Sequence, residues 1–294
     1  MKVPSNLVRD IRKYYCNQLC SVYDNDEASA MILILLEHYF KITRVKMALE
    51  PDMRLSESEM LTFHFAVKDL LKNKPIQYII GETEFCDLKF KVNENVLIPR
   101  PETSELVYKI VNRQQTTDNR QLSILDIGTG SGCIAISLAK RIPNSKVYAL
   151  DISEKALEVA KENAINNDAD VTFIHDDILS LKNKIETKFD IIVSNPPYVR
   201  ELEKAEMRDN VLNWEPHNAL FVSDNNPLIF YKSILEFAKG NLKENGEIWF
   251  EHSDCNDKLC INSGKLSRGG ELAVCLPAKT VIKISGSDVD AVVY

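Results

Sequence analysis

The sequence predicts an α/β chain in which a small helical bundle precedes a doubly wound, mostly parallel sheet. Three observations lead there. From about Leu122, short apolar runs alternate with amphipathic helical segments, the pattern of a parallel sheet covered on both faces. A glycine-rich loop, Gly128-Thr129-Gly130-Ser131-Gly132, follows the first of those runs and opens a helix, the place where such sheets carry ligands. The seventy-odd residues ahead of them repeat apolar side chains at helical spacing.

In chain order, Leu7, Val8, Ile11, Tyr14, Tyr15, Leu19 and Val22 fall on one helical face, and Asp26-Glu27 opens a second apolar helix through Phe40. Ser56 and Glu59 have capping-box spacing ahead of a third, with Leu61, Phe65 and Leu70-Leu71. Pro75 ends this bundle, assigned to 1–75. A hairpin linker over 76–98 is expected from Ile79-Ile80-Gly81 and the alternation Leu88, Phe90, Val92, turning near Cys86-Asp87. Pro99 and Pro101 force extension before a helix starting near Glu105, and residues 99–294 form the second domain. Its strands are expected at Ile124–Ile127, Val147–Asp151, Val171–His175 and Phe189–Ser194, with helices after Gly132 and from Ser153 to Asn167.

Composition bounds the function. At 294 residues, 45% hydrophobic and 27% charged, the chain has enough apolar side chains for one large core and one small one. A formal charge of −7 argues against coating phosphate backbones, so direct nucleic-acid binding is not expected. The start lacks the apolar core of a signal peptide and the densest apolar run, Ala30 to Leu36, is too short for a bilayer. A cytoplasmic monomer without membrane contact is the expectation. Seven scattered cysteines have no Cys-x-x-Cys pair and no histidines at zinc spacing, so no metal site is expected.

The chemistry lies in four segments. Three glycines let a backbone approach a ligand closely, and the following helix presents free N–H groups. The loop lacks the Gly-Lys-Ser/Thr ending of a phosphate-binding P-loop. Asp151 closes the second strand about twenty residues on, where a carboxylate accepts both hydroxyls of an adenosine ribose; it or Ser153 also suits the cap of the next helix. Asp177 and Ile178, past the third strand, suit the amine and ring of adenine. Asn195-Pro196-Pro197-Tyr198 closes the fourth strand. Its prolines fix the backbone, and the asparagine amide can grip an incoming –NH2 while leaving the nitrogen lone pair free. Glycine loop, acid and amide-gripping turn on one sheet edge point to methyl transfer from S-adenosylmethionine to nitrogen.

These residues resemble the HemK family of protein-glutamine N5-methyltransferases, which modify peptide chain release factors. The resemblance rests on Pro99-Arg100-Pro101-Glu102-Thr103, Asp126 to Gly132, Asp151, Asn195 to Tyr198, and Glu215-Pro216 with Ala219-Leu220, and covers the chain through about Glu251. It implies a Rossmann-like methyltransferase domain that takes the Gly-Gly-Gln loop of a release factor, a helical domain that docks that factor, and S-adenosyl-L-homocysteine as product. By that resemblance Gly128, Thr129, Gly130, Ser131, Gly132, Asp151, Asp177, Ile178 and Asn195 hold the cofactor. Asn195, Pro196, Pro197 and Tyr198, with Arg100 and Glu215, hold the substrate, and Asn195, Pro196 and Tyr198 are the catalytic set.

Three other readings share the motif: a glutamine methyltransferase of a ribosomal protein, an adenine-N6 methyltransferase taking a flipped base on Tyr198, and a cofactor-binding protein without turnover. The tail after Glu251 departs from the family pattern, through divergence or an altered reading frame. Ser253 to Gly270 is a poor helix, while Glu271–Leu276, Thr280–Ile284 and Val289–Tyr294 have strand character.

Overall fold

The computed structural model describes residues 5–114 and 121–250 in full, and the backbone of 265–266, 272–275, 280–285 and 288–293. The chain divides into two compact units, Met1–Gly81 with Arg208–Trp214, and Glu82–Met207 with Glu215–Tyr294.

The first unit is helical: α1 (Val8–Leu19), α2 (Asn25–Phe40), α3 (Arg44–Leu49), α4 (Glu57–Leu70) and α5 (Ile76–Ile80). Its core joins Ile11, Tyr15 and Leu19 of α1 to Ile32, Leu35 and Leu36 of α2 and Phe63, Val67 and Leu70 of α4. Asp24 caps α2, and Ser56 with Glu59 forms the expected capping box on α4. The apolar face of α4 differs from expectation. Leu61 and Phe65 are exposed, and Phe63, Ala66 and Val67 are the buried set, because the i, i+3, i+4 series from Phe63 through Leu70 points to α1 and α2. Ile79-Ile80 is helix rather than strand, stopped by Gly81 at φ 78°.

The second unit opens with the hairpin β1 (Glu82–Phe85) and β2 (Leu88–Lys91), turned by Cys86 and Asp87 at φ 48° and 59°. Two consecutive positive φ values match strand twist. Next, α6 (Pro101–Gln114) begins four residues before the expected start, since proline at the first helical position lacks only an N–H that would have no helical partner. Then follow β3 (Ser123–Ile127), α7 (Cys133–Arg141), β4 (Lys146–Asp151), α8 (Glu154–Asn166), β5 (Val171–His175), β6 (Phe189–Ser194) and β7 (Val199–Arg200). The short α9 (Asp209–Leu212) clusters with the first unit. After it come β8 (Phe221–Val222), α10 (Ile229–Asn241), β9 (Leu242–Phe250), β10 (Lys265–Leu266), β11 (Leu272–Cys275), β12 (Thr280–Ser285) and β13 (Asp288–Val293).

The main sheet runs β10-β9-β6-β3-β4-β5, parallel except for β10. Strand residues alternate between two cores. Ile124, Val147, Ala149, Ile191, Val193 and Trp249 pack under α6 and α7, while Leu125, Ile127, Leu150, Ile192 and Ile248 pack under α10. From β3 the chain winds to β4 and β5 on one side, then returns to β6 on the other, so the topological switch lies between β3 and β6. Register pairs Ile127 with both Leu150 and Ser194, and Asp151 with His175. Ser194 also pairs with Phe250, so all five parallel strands end near one level. The strand character read in the tail becomes an antiparallel meander, β11-β12-β13; residues 251–264 and 267–271 lie outside the described residues.

Candidate active site

The glycine loop grows directly out of β3. The N–H groups of Gly128 and Thr129 both donate to the Leu150 carbonyl, at 2.8 and 3.0 Å, folding the loop back over β4. Gly128, Gly130 and Gly132 all have positive φ, between 55° and 81°. At Gly132 space is tight as well: a Cβ there would stand 2.9 Å from Ile136 Cδ1 and 3.1 Å from Ala160 Cβ. This glycine lets α7 pack against α8.

Two buried acids fix the loop. Asp126 is fully buried; its Oδ2 accepts the Thr129 hydroxyl at 2.6 Å and the Ala135 N–H at 3.3 Å, while Oδ1 has no hydrogen-bond partner. Burial pushes its carboxyl up to about 7, against the pull of those two donors. Asp151 Oδ2 accepts the Gly130 N–H at 2.8 Å and Oδ1 the Ser153 N–H at 2.9 Å. Burial also raises the Asp151 carboxyl, opposed by these N–H groups. The helix cap is Ser153, whose hydroxyl accepts the Ala156 N–H, so Asp151 faces the loop.

Asp176 and Asp177 stand past β5. Asp176 is buried and accepts the N–H groups of Asp177, Lys182 and Asn183. Asp177 Oδ1 accepts the Leu179 N–H at 2.9 Å, which aims the following turn. Ile178 packs on the α10 side of the sheet.

The Asn-Pro-Pro-Tyr turn leaves β6, where the Ser194 hydroxyl donates to the Ile127 carbonyl at 2.7 Å and locks the ends of β6 and β3 together. The parallel pairing of Val199 with Phe221, and the Val199 N–H to the Leu220 carbonyl, draw residues 217–222 beside the turn. Among the described residues the Asn195 carboxamide has no hydrogen-bond partner.

These parts enclose a cavity of about 250 Å³. Its lining includes Gly128 to Ser131, Asp151, Asp177, Ile178, Asn195, Pro196, Pro197 and Arg100. Gly132, Tyr198 and Glu215 do not line it: Gly132 lies behind the loop, Tyr198 packs with the core around Phe189 and Tyr231, and the Glu215 side chain is 1% exposed. Lining residues that sequence reasoning missed are Asn95, Val96, Leu97, Asn218, Phe230 and Ile234. A second missed residue type is structural. Asn163 of α8, fully buried, donates to the carbonyls of Ser131 and Lys91 and accepts the Lys91 N–H, tying the loop to the hairpin. Among the described residues no group of three or more His, Cys, Asp or Glu is placed to hold a metal ion, and no helix is long and apolar enough to cross a membrane.

Comparison with known proteins matches this architecture segment by segment. Residues 10–81 match the model of the PrmC N-terminal domain, residues 103–215 that of the methyltransferase small domain, and residues 232–288 that of NusG domain II. The last match covers the tail, so its departure from the family pattern coincides with likeness to a different domain. The release factor glutamine methyltransferase of Bacteroides thetaiotaomicron is 46% identical, covering 82% of this chain and 85% of its own. That of Flavobacterium psychrophilum is 49% identical over 246 residues, covering 83% of this chain and 86% of its own. With identity of that extent over most of both chains, this chain belongs to the release factor glutamine methyltransferase family.

Proposed function

We propose that the protein methylates the side-chain amide nitrogen of the glutamine in the Gly-Gly-Gln loop of a peptide chain release factor, using S-adenosylmethionine and leaving S-adenosyl-L-homocysteine. The observation that carries this is that Asn195, whose carboxamide has no hydrogen-bond partner among the described residues, and the Gly128–Gly130 loop line one cavity. The residues present fit the cofactor: Asp151 at the end of β4 offers carboxylate lone pairs to a ribose diol, and Ile178 and Asp177 offer an apolar surface and an acceptor to adenine. The cofactor supplies a methyl carbon activated by positively charged sulfur.

The protein's task is then orientation. An amide nitrogen has a delocalised lone pair and is a poor nucleophile. The Asn195 Oδ1 and the Pro196 carbonyl accept its two N–H bonds and aim the nitrogen into the cavity, while Pro196 and Pro197 keep that corner rigid. Ordering of this kind is worth up to about 7–11 kcal/mol of a barrier. Tyr198, packed behind the turn, supports the corner. One N–H proton leaves to solvent after the new N–C bond forms. The helical unit serves as the docking domain for the release factor.

The test is incubation with a purified release factor and isotopically labelled S-adenosylmethionine, followed by mass mapping. Label on glutamine of the Gly-Gly-Gln loop supports the proposal; label on adenine of added DNA, on a ribosomal protein alone, or on nothing overturns it.

A further inference from the structure

We infer that Arg100 binds the carboxylate at the amino-acid end of the methyl donor, and that buried Glu215 is the positioning residue that aims it. The inference rests on reading the cavity as the methyl-donor site, and it moves both residues from the substrate side to the cofactor side.

Charge is the first argument. The charged side chains lining the cavity are Arg100, Asp151, Asp176 and Asp177. An amino-acid carboxylate is the one anion of S-adenosylmethionine. Beside any of the three acids it would meet like charge, and Arg100 is the one cation on the lining among the described residues. A guanidinium presents five N–H donors in a planar fork suited to a carboxylate.

Geometry is the second. Arg100 spends Nη2 on Glu215 Oε1, at 2.7 Å, and its side chain remains 31% exposed. Glu215 Oε2 accepts the Ile98 N–H at 3.2 Å. One buried carboxylate therefore holds both the guanidinium and the backbone two residues before it, while Pro99 and Pro101 fix the chain on either side of Arg100. Glu215 itself has no face on the cavity, so its effect passes through Arg100.

The third is the helix behind it. Arg100 directly precedes α6, a helix of 14 residues, and the buried Thr103 of its first turn lines the same cavity. The positive end of that helix favours an anion at the place where the guanidinium stands.

The test is calorimetric binding of two ligands to the full chain: S-adenosyl-L-homocysteine, which carries the carboxylate, and 5′-methylthioadenosine, which lacks the whole amino-acid end. R100Q/E215Q, which avoids a lone buried carboxylate, is expected to weaken S-adenosyl-L-homocysteine at least tenfold and 5′-methylthioadenosine less than twofold. E215Q alone gives a smaller loss with the same selectivity, and R100K recovers part of it. Equal loss for both ligands, or unchanged affinity for S-adenosyl-L-homocysteine, overturns the inference. Because the assay contains no release factor, a different methyl acceptor sinks the proposed function and leaves this inference standing. A wild-type protein that binds neither ligand sinks both.

Discussion

The Asp151 carboxylate accepts the Gly130 N–H across 2.8 Å, binding the end of β4 to the glycine loop that follows β3. The same acid thus shapes the loop and faces the cavity. Asp151→Asn keeps one acceptor oxygen for two N–H groups, Gly130 and Ser153, and turns a donor toward one of them. S-adenosyl-L-homocysteine affinity should fall by about 10–100-fold, in line with a lost charged hydrogen bond of about 1.5–3 kcal/mol. Titration calorimetry checks it, and affinity within twofold of wild type would count against the ribose role.

Gly132→Ala forces a side chain into φ 81° and against Ile136 and Ala160. We expect a loss of about 2 kcal/mol in stability from left-handed strain and the contact with α8. Urea unfolding measures this directly.

Asn163→Ala removes three hydrogen bonds at a fully buried position and strands the Ser131 carbonyl and the Lys91 amide. A cost of about 3 kcal/mol follows from unmade buried bonds. Thermal unfolding should also show that cofactor rescues the variant less than wild type, since the loop it anchors lines the cavity proposed to hold the cofactor.

Asp126 sets a pH dependence with a definite sign. Its carboxyl ionises near 3.8 as a free group and at about 7 when folded, chiefly because of burial. Between those values the folded state holds the extra proton, so this group's contribution favours folding most below 3.8 and weakens as pH rises through 7. The decline between pH 5 and pH 8 is about 2–3 kcal/mol for a shift of that size. In Asp126→Asn that portion of the slope should vanish; an identical pH profile in wild type and variant would contradict the assignment.

What was legible in the sequence was local. The residues read as carrying chemistry stand at or just past strand ends, so Asp151 and the Asn195 turn could be read from apolar runs and their punctuation. The level ending of β3, β4 and β6 follows from parallel pairing, and brought those motifs together as expected. Links across long sequence separations were not legible. Glu215 reaches back 117 residues to Ile98, Asn163 reaches back 72 to Lys91, and nothing in their neighbourhoods announces a partner. Ile79-Ile80 misled for the opposite reason: a short apolar run has no period, and Gly81 suits a helix end as well as a turn. Leu61 and Phe65 misled because apolar side chains on α4 outnumber the positions its neighbours cover.

The central claim is that Asn195 orients the substrate amide in a cavity it shares with the glycine loop. The measurement that bears on it most directly is single-turnover methylation of a release factor by Asn195→Ala, with S-adenosyl-L-homocysteine affinity measured on the same preparation. The account predicts methyl transfer slowed by at least about 100-fold, as expected when positioning is lost, with affinity changed by less than about fivefold. Transfer at near wild-type rate, or a loss of rate matched by an equal loss of affinity, would contradict it.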